Sequence, residues 1–214
     1  MKKFLLALAT ACFLSTTAFA AGDMILPPPT MNDKLSVMDA LKQRQSSRNF
    51  VDKNLSPAQM SKILWAAGGI NRDDGKRTVP AALGVYSVEI YAVTKEGIFL
   101  YDVKSHKLTL IAEGDFRSTT TTGQKFASKA ALNLVYVETP EVWRNSKRQA
   151  TRDAQVSFAN VLVGAMIQNV ALAAETEGLG NCVRGSVDRE KFREAAKLSE
   201  GKLIILAQSV GYTK

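Results

Sequence analysis

The stretch that decides the fold is "RDAQVSFANVLVGAMIQNVALAAETEGLG", residues 152–180. It has no proline, and Gly164 is the only glycine before Gly178. Its Ala, Leu, Met, Gln and Glu content favours helix. The spacing predicts one long helix ended by Gly178. From Phe158 to Ala174 apolar residues occupy nearly every face: Val161, Leu162, Val163, Met166, Ile167, Val170 and Leu172. Such a helix is expected to be buried. Gln168 and Asn169 interrupt it and argue against a membrane span. A small domain without a disulfide covers about two of its faces. The remaining face calls for a second subunit, or for a monomer that wraps the helix in sheet and flanking helices. Periodicity alone does not choose between them.

Around this helix the other elements fall into place. Ser36, with Asp39 three residues on, resembles a capping box that opens a helix running to about Arg44. In "SPAQMSKILWAAGG" (56–69) Ser56 caps, Pro57 suits the first helical position and Gln59 reaches back. Ile63, Leu64 and Ala67 share one face, and Gly68-Gly69 ends the helix. Residues 87–94, 97–103 and 107–111 alternate like strands and make a meander. Residues 131–138 form another strand, 188–198 a short amphipathic helix and 202–212 a final buried strand. Intermixed helices and strands of this kind are α+β, a mixed or antiparallel central sheet flanked by helices.

The first twenty residues, "MKKFLLALATACFLSTTAFA", read as a signal peptide: two lysines, a short apolar run, then Ala18-Phe19-Ala20 as the cleavage site. The expectation is cleavage after Ala20 and a periplasmic or secreted protein with no membrane insertion. Cys12 leaves with the signal, so Cys182 stands alone and no internal disulfide can form. It reads as a small buried hydrophobe. Residues 21–35, with Pro27, Pro28 and Pro29 in extended geometry, read as an arm leading into a single domain over 36–214. The formal charge of +8 is dispersed. No lysine/arginine block with interleaved aromatics points to nucleic acid. No Cys/His cluster or acidic arrangement reads as a metal site. The single histidine, His106, falls in a polar turn and is expected to be exposed, which leaves a Ser-His-Asp hydrolase without its base.

One cluster carries chemistry. "RQSSRNF" (44–50) packs two guanidiniums and two hydroxyls into seven residues. It is either a solvated helix end or an anion site, in which Arg44 supplies fork hydrogen bonds and Ser46 a further one. Its context resembles the FMN-dependent nitroreductase family, and most of all the branch of the thiazole/oxazole-forming dehydrogenases. The resemblance spans about residues 36–214. "RQSSRNF" is similar to the family's Arg-basic-Ser-x-Arg-x-Phe/Tyr opening, with Gln45 in place of the second basic residue. "TVPAALGVYSVEIYAV" resembles that branch's loop-to-strand segment: Pro80, Tyr86 and Glu89 agree, while Ala81, Leu83 and Ser87 depart. The hairpin from Gly97, the segment from Gly123 and "MIQNVALAAETEGLGNCVRGSVD" follow in the family's order.

The resemblance implies a nitroreductase-like fold, a homodimer crossing at the long helix, and FMN at the interface. It implies that Arg44, Gln45 and Ser46 hold the phosphate and ribityl chain and that Arg48 meets the flavin pyrimidine. The loop Pro80, Ala81, Ala82, Leu83 and Gly84 would pass along the isoalloxazine. The turn Val183, Arg184 and Gly185 would offer a backbone N–H to flavin N5, Gln124 would come from the partner, and Lys214 would sit at the phosphate. No side chain is called on as a nucleophile. The implied activity is ping-pong hydride transfer through N5 to a small redox substrate. The alternative from a different class is an exported flavin- or ligand-binding protein that keeps the fold without turnover.

Overall fold

The computed structural model describes residues 22–31 and 35–214; the signal peptide reading falls outside them. Seven strands form one sheet in the order β1-β4-β3-β2-β5-β7-β6, and every pairing is antiparallel. They are β1 (Met24–Ile25), β2 (Val88–Val93), β3 (Gly97–Asp102), β4 (Lys107–Glu113), β5 (Leu132–Glu138), β6 (Gly180–Arg184) and β7 (Leu203–Gly211). The helices are α1 (Val37–Gln43), α2 (Pro57–Gly68), α3 (Glu141–Arg144), α4 (Arg152–Thr176) and α5 (Arg189–Ala195). The fold is α+β and nitroreductase-like.

Local chemistry places the helix ends where the sequence puts them. Ser56 and Gln59 form a reciprocal capping box on α2, and the Ser36 hydroxyl accepts from the Asp39 N–H at the head of α1. Gly178 leaves α4 at φ 64°, a left-handed conformation in which glycine carries no Cβ penalty. α4 crosses the sheet and packs beside α2, burying Ala159, Leu162, Val163, Met166, Val170, Ala171 and Ala174. The buffer between α2 and the end of α4 is an ion pair, Lys62 to Glu177 at 2.5 Å.

Three points refine the expectations. First, α4 keeps one face open within a single chain, the face that the sequence leaves for a second subunit or for flanking elements to cover. Ser157, Asn160, Val161, Gly164 and Gln168 line an exposed stripe at helical spacing, and Val161 is 69 % exposed. The stripe mixes the polar Ser157, Asn160 and Gln168 with Val161 and Gly164, so its polar signature is diluted. Second, residues 180–184 are a strand, not a turn. Gly, Asn and Arg have little strand propensity, and pairing with β7 overrides it. Third, the arm is not merely a leader. Met24 and Ile25 pair with Leu108 and Lys107 of β4, Asp23 accepts the Leu110 N–H, and Leu26 is buried. The arm thereby covers one edge of the sheet.

Candidate functional site

The segment after α1 is held at the far edge of the sheet. Ser46 forms a parallel bridge to Asn181, and the Ser47 N–H donates to the Asn181 carbonyl at 2.7 Å. Phe50 bridges Thr213, and Val51 donates to Tyr212 at 2.9 Å. Lys214 donates to the Asn49 carbonyl at 3.2 Å and accepts from its Nδ2 at 3.3 Å. Residues 44–50 are therefore wedged between the start of β6 and the end of β7, with Lys214 alongside. Gly180 allows this. A Cβ there would touch Thr213 Cγ2 and lie 2.8 Å from Ser47 Cβ. The two glycines of Gly178-Leu179-Gly180 thus have different duties, a helix exit and a close approach.

Gln45, Ser46 and Arg48 are exposed, and Arg44 is half-buried. No carboxylate among the described residues pairs with either arginine. β6 is the edge strand of the sheet. Asn181 turns its backbone outward to Ser47, and the period of two along a strand gives Val183 the same direction. The Val183 N–H is therefore open at the edge, just past the point where the opening segment ends its pairing. The Arg184 side chain points the other way. It is 3 % exposed and donates to Ser209 Oγ, Asn133 Oδ1, and the Thr120 carbonyl and hydroxyl. Burial pushes its guanidinium down to about 10. Only its backbone remains for a ligand.

Gln124 stands near the same strand. Its N–H donates to Thr121 Oγ1 at 3.0 Å, and the neighbouring Thr122 hydroxyl meets Ser186 Oγ at 2.6 Å. Its buried Oε1 has no partner, and neither has Asn181 Nδ2. Uncompensated guanidiniums, an open N–H and unfilled amide atoms suit a ligand with an anionic group and mixed donors and acceptors, as FMN is.

The loop Pro80–Gly84 is anchored elsewhere. Thr78 Oγ1 donates to the carbonyls of Trp65 and Ala66, and Asn169 Nδ2 of α4 donates to those of Ala66 and Thr78. Ala81 and Ala82 are half-buried. Leu83, 49 % exposed, adopts φ 55°, which costs a residue with a Cβ roughly 1–2 kcal/mol. The loop feeds β2, whose Val88 faces Glu138, which in turn faces Leu203 at the start of β7. Gly180 faces Gly211 at the other end of β7. The register thus separates the entry to β2 from the 44–50 segment by the length of β7. Glu89 is occupied by Lys202 Nζ at 2.6 Å and the Tyr91 hydroxyl at 3.0 Å.

His106 is half-buried, not exposed. Its ring meets the Tyr101 hydroxyl at 2.7 Å and Ser61 Oγ at 2.8 Å. Ser61 donates its one proton to the Pro27 carbonyl at 2.5 Å. Nε2–H must then donate to Ser61, and Nδ1 accepts from Tyr101. With Ser61 at 0 % exposure and a tyrosine as third member, this chain is a clamp on the arm, not a hydrolytic triad. No motif announces it, because Ser61 lies 45 residues from His106 along the chain.

Residues 41–212 match the nitroreductase family profile. The chain is similar to the crystal structure of a nitroreductase-family protein from Ralstonia eutropha JMP134, 31% identical, with a TM-score of 0.82, covering 99% of this chain and 96% of that one. A Methanocaldococcus jannaschii protein, MJ1384, provisionally named a nitroreductase, is 27% identical over 183 residues, 81% of this chain and 90% of its own. A Desulfovibrio desulfuricans structure, similarly named and solved in complex with FMN, shares the fold at 18% identity with a TM-score of 0.59, covering 86% of this chain and 88% of that one.

Proposed function

Because the chain belongs to the nitroreductase family, we propose that it is an exported, homodimeric FMN-dependent oxidoreductase, of the branch that resembles the thiazole/oxazole-forming dehydrogenases. Bound FMN would supply two-electron chemistry at N5, taking hydride from a donor and passing it to a small redox substrate in a ping-pong sequence. The protein's part is to bind and orient. Arg44, Gln45, Ser46 and Lys214 would hold the phosphate and ribityl chain, and Arg48 would stabilise charge on the pyrimidine edge. The Val183 N–H would hydrogen-bond N5, and Gln124 of the second copy would bring its free Oε1 to the flavin.

The observation that carries the reading is the wedge of residues 44–50 against β6. It sets two unpaired arginines and Lys214 beside an open strand edge at Val183. Dimerisation is supported by exposed apolar side chains on two helices that pack together, Val37, Met38 and Leu41 of α1 and Val161 of α4. It is supported again by the resemblance, in which each flavin lies at the interface with contacts from both chains.

Titrating the flavin-free, folded protein with FMN tests the proposal: one FMN per chain is expected. No binding at micromolar flavin rejects the enzyme and leaves a binding protein. Anaerobic reduction followed by reoxidation with a quinone separates turnover from storage. N-terminal sequencing of protein recovered from cells tests export, with Ala21 expected as the first residue.

A further inference from the structure

Beside the Pro80–Gly84 loop lies an open cleft of about 770 Å³, lined by Arg72, Lys76, Arg77, Pro80, Ala81 and Tyr86 among others. None of its basic side chains takes part in the flavin site described above. The hairpin that carries them is fixed: Ile70 and Arg77 form an antiparallel bridge, and the Asn71 N–H donates to Lys76 at 3.1 Å. Asp74, also on the cleft, pairs with Lys76 at 3.0 Å. Its charge is thereby engaged with one of the three cations.

Arg77 is the exception among the cations. Its guanidinium carbon sits 4.5 Å from the centroid of the Tyr86 ring, and its backbone N–H donates to the Tyr86 hydroxyl at 3.1 Å. It is half-buried, and burial lowers its pKa against the opposing influence of Tyr86 and Tyr101. No carboxylate among the described residues pairs with it. A guanidinium that has lost part of its hydration and has no anion beside it is unfavourable. Here an aromatic face holds it in place beside an open cleft, and its planar fork fits a carboxylate. Pro80, Ala81 and the Tyr86 ring give the same cleft a flat apolar wall.

We propose that this cleft is the substrate subsite of the flavin enzyme and that Arg77, seated on Tyr86, binds the carboxylate of a small, flat organic acid. This rests on the flavin reading, and names the substrate class for it. Recognition follows the usual logic of polar specificity: a site built to pair a charge rejects the uncharged isostere.

Two measurements test it on the purified protein. In calorimetry, benzoate is expected to bind about ten- to hundredfold more tightly than benzamide, the range of one charge-assisted hydrogen bond. Arg77→Gln should abolish that preference, and Arg77→Lys should keep part of it. In stopped flow, photoreduced protein should be reoxidised faster by 4-nitrobenzoate than by 4-nitrobenzamide, and Arg77→Gln should lower that ratio by a similar factor. Equal binding of benzoate and benzamide, or a preference that survives in folded Arg77→Gln, overturns the proposal. So does a loss of FMN affinity in Arg77→Gln as large as the loss of benzoate, because the cleft would then hold the flavin phosphate. If FMN never binds, the flavin reading fails by itself, while the benzoate preference still judges the cleft.

Discussion

Replacing Gly180 by alanine isolates the contact on which the candidate site depends. The new methyl would fall on the Thr213 methyl and 2.8 Å from Ser47 Cβ, where carbon atoms pack at about 3.5–4.0 Å. The opening segment would have to retreat from β6 by roughly 0.7 Å or more. Thr213 can rotate its methyl away. Ser47 cannot, because its Cβ is fixed by the backbone bond to Asn181 at 2.7 Å. Overpacking of this kind costs about 1–3 kcal/mol. If the strain falls on the wedge, FMN affinity drops roughly five- to 150-fold, at about 1.4 kcal/mol per tenfold. Urea unfolding and FMN titration of Gly180→Ala measure the two losses. Ser47→Gly, which removes the fixed Cβ, should recover part of both in the double variant. Gly178→Ala is the control: open space surrounds Gly178, so the change should cost about 1 kcal/mol through its left-handed backbone and leave flavin affinity nearly untouched. Wild-type stability and affinity in Gly180→Ala, or no recovery with Ser47→Gly, would refute the reasoning.

Arg48→Ala should lower the flavin potential by roughly 30–65 mV, the equivalent of one charge-assisted hydrogen bond of about 1.5–3 kcal/mol in a two-electron couple; an unchanged potential by spectroelectrochemistry places Arg48 away from the pyrimidine. Val161→Glu, on the exposed stripe of α4, should shift sedimentation toward monomer and release FMN together, whereas dimer retained across a dilution series argues that this stripe is not the interface. Burial holds the His106 pKa below its ordinary 6.5, so the unfolded chain takes the proton more readily. The contribution of the clamp is thus complete above pH 6.5 and lost as pH falls through the lowered value, and protection from hydrogen exchange at residues 24–26, relative to the intrinsic rate, should fall on acidification in the wild type but not in His106→Gln. Arg184→Met should destabilise by about 3 kcal/mol or more, because Asn133 and Thr120 lose charged donors in the interior; a urea midpoint within error of wild type contradicts that.

Most of the fold was legible because its signals are local. The capping box at Ser56, the alternation in β2 to β5 and the glycine exit at Gly178 are each written within a few residues. What stayed hidden depends on distant partners. Gly180–Arg184 has no strand propensity of its own and is a strand only because β7 lies beside it. His106 looks like a turn residue, and its φ of 48° agrees, yet Tyr101 and Ser61 draw it inward. Arg77 carried no motif at all: its meaning comes from Tyr86 nine residues later. Which face of α4 lies outermost was hard to see because Val161 and Gly164 sit among Ser157, Asn160 and Gln168 and blur the polar side.

The proposed dimer accounts for both the open stripe of α4 and the division of the candidate site. A single chain sets the phosphate-type donors at the end of the sheet where β6 begins, and it sends the Pro80–Gly84 loop toward the end where β2 begins. Neither group alone encloses a ligand as large as a flavin. The same chain leaves Val37, Met38, Leu41 and Val161 exposed on α1 and α4, apolar area that a solvated monomer gains nothing by showing. A second copy docked across α4 would bury those side chains and carry its own loop, with Arg77 and Tyr86, toward the first copy's wedge. Under that arrangement the cofactor donors come from one subunit and the substrate-selecting arginine from the other. Dimerisation would then be a condition of catalysis as well as of stability.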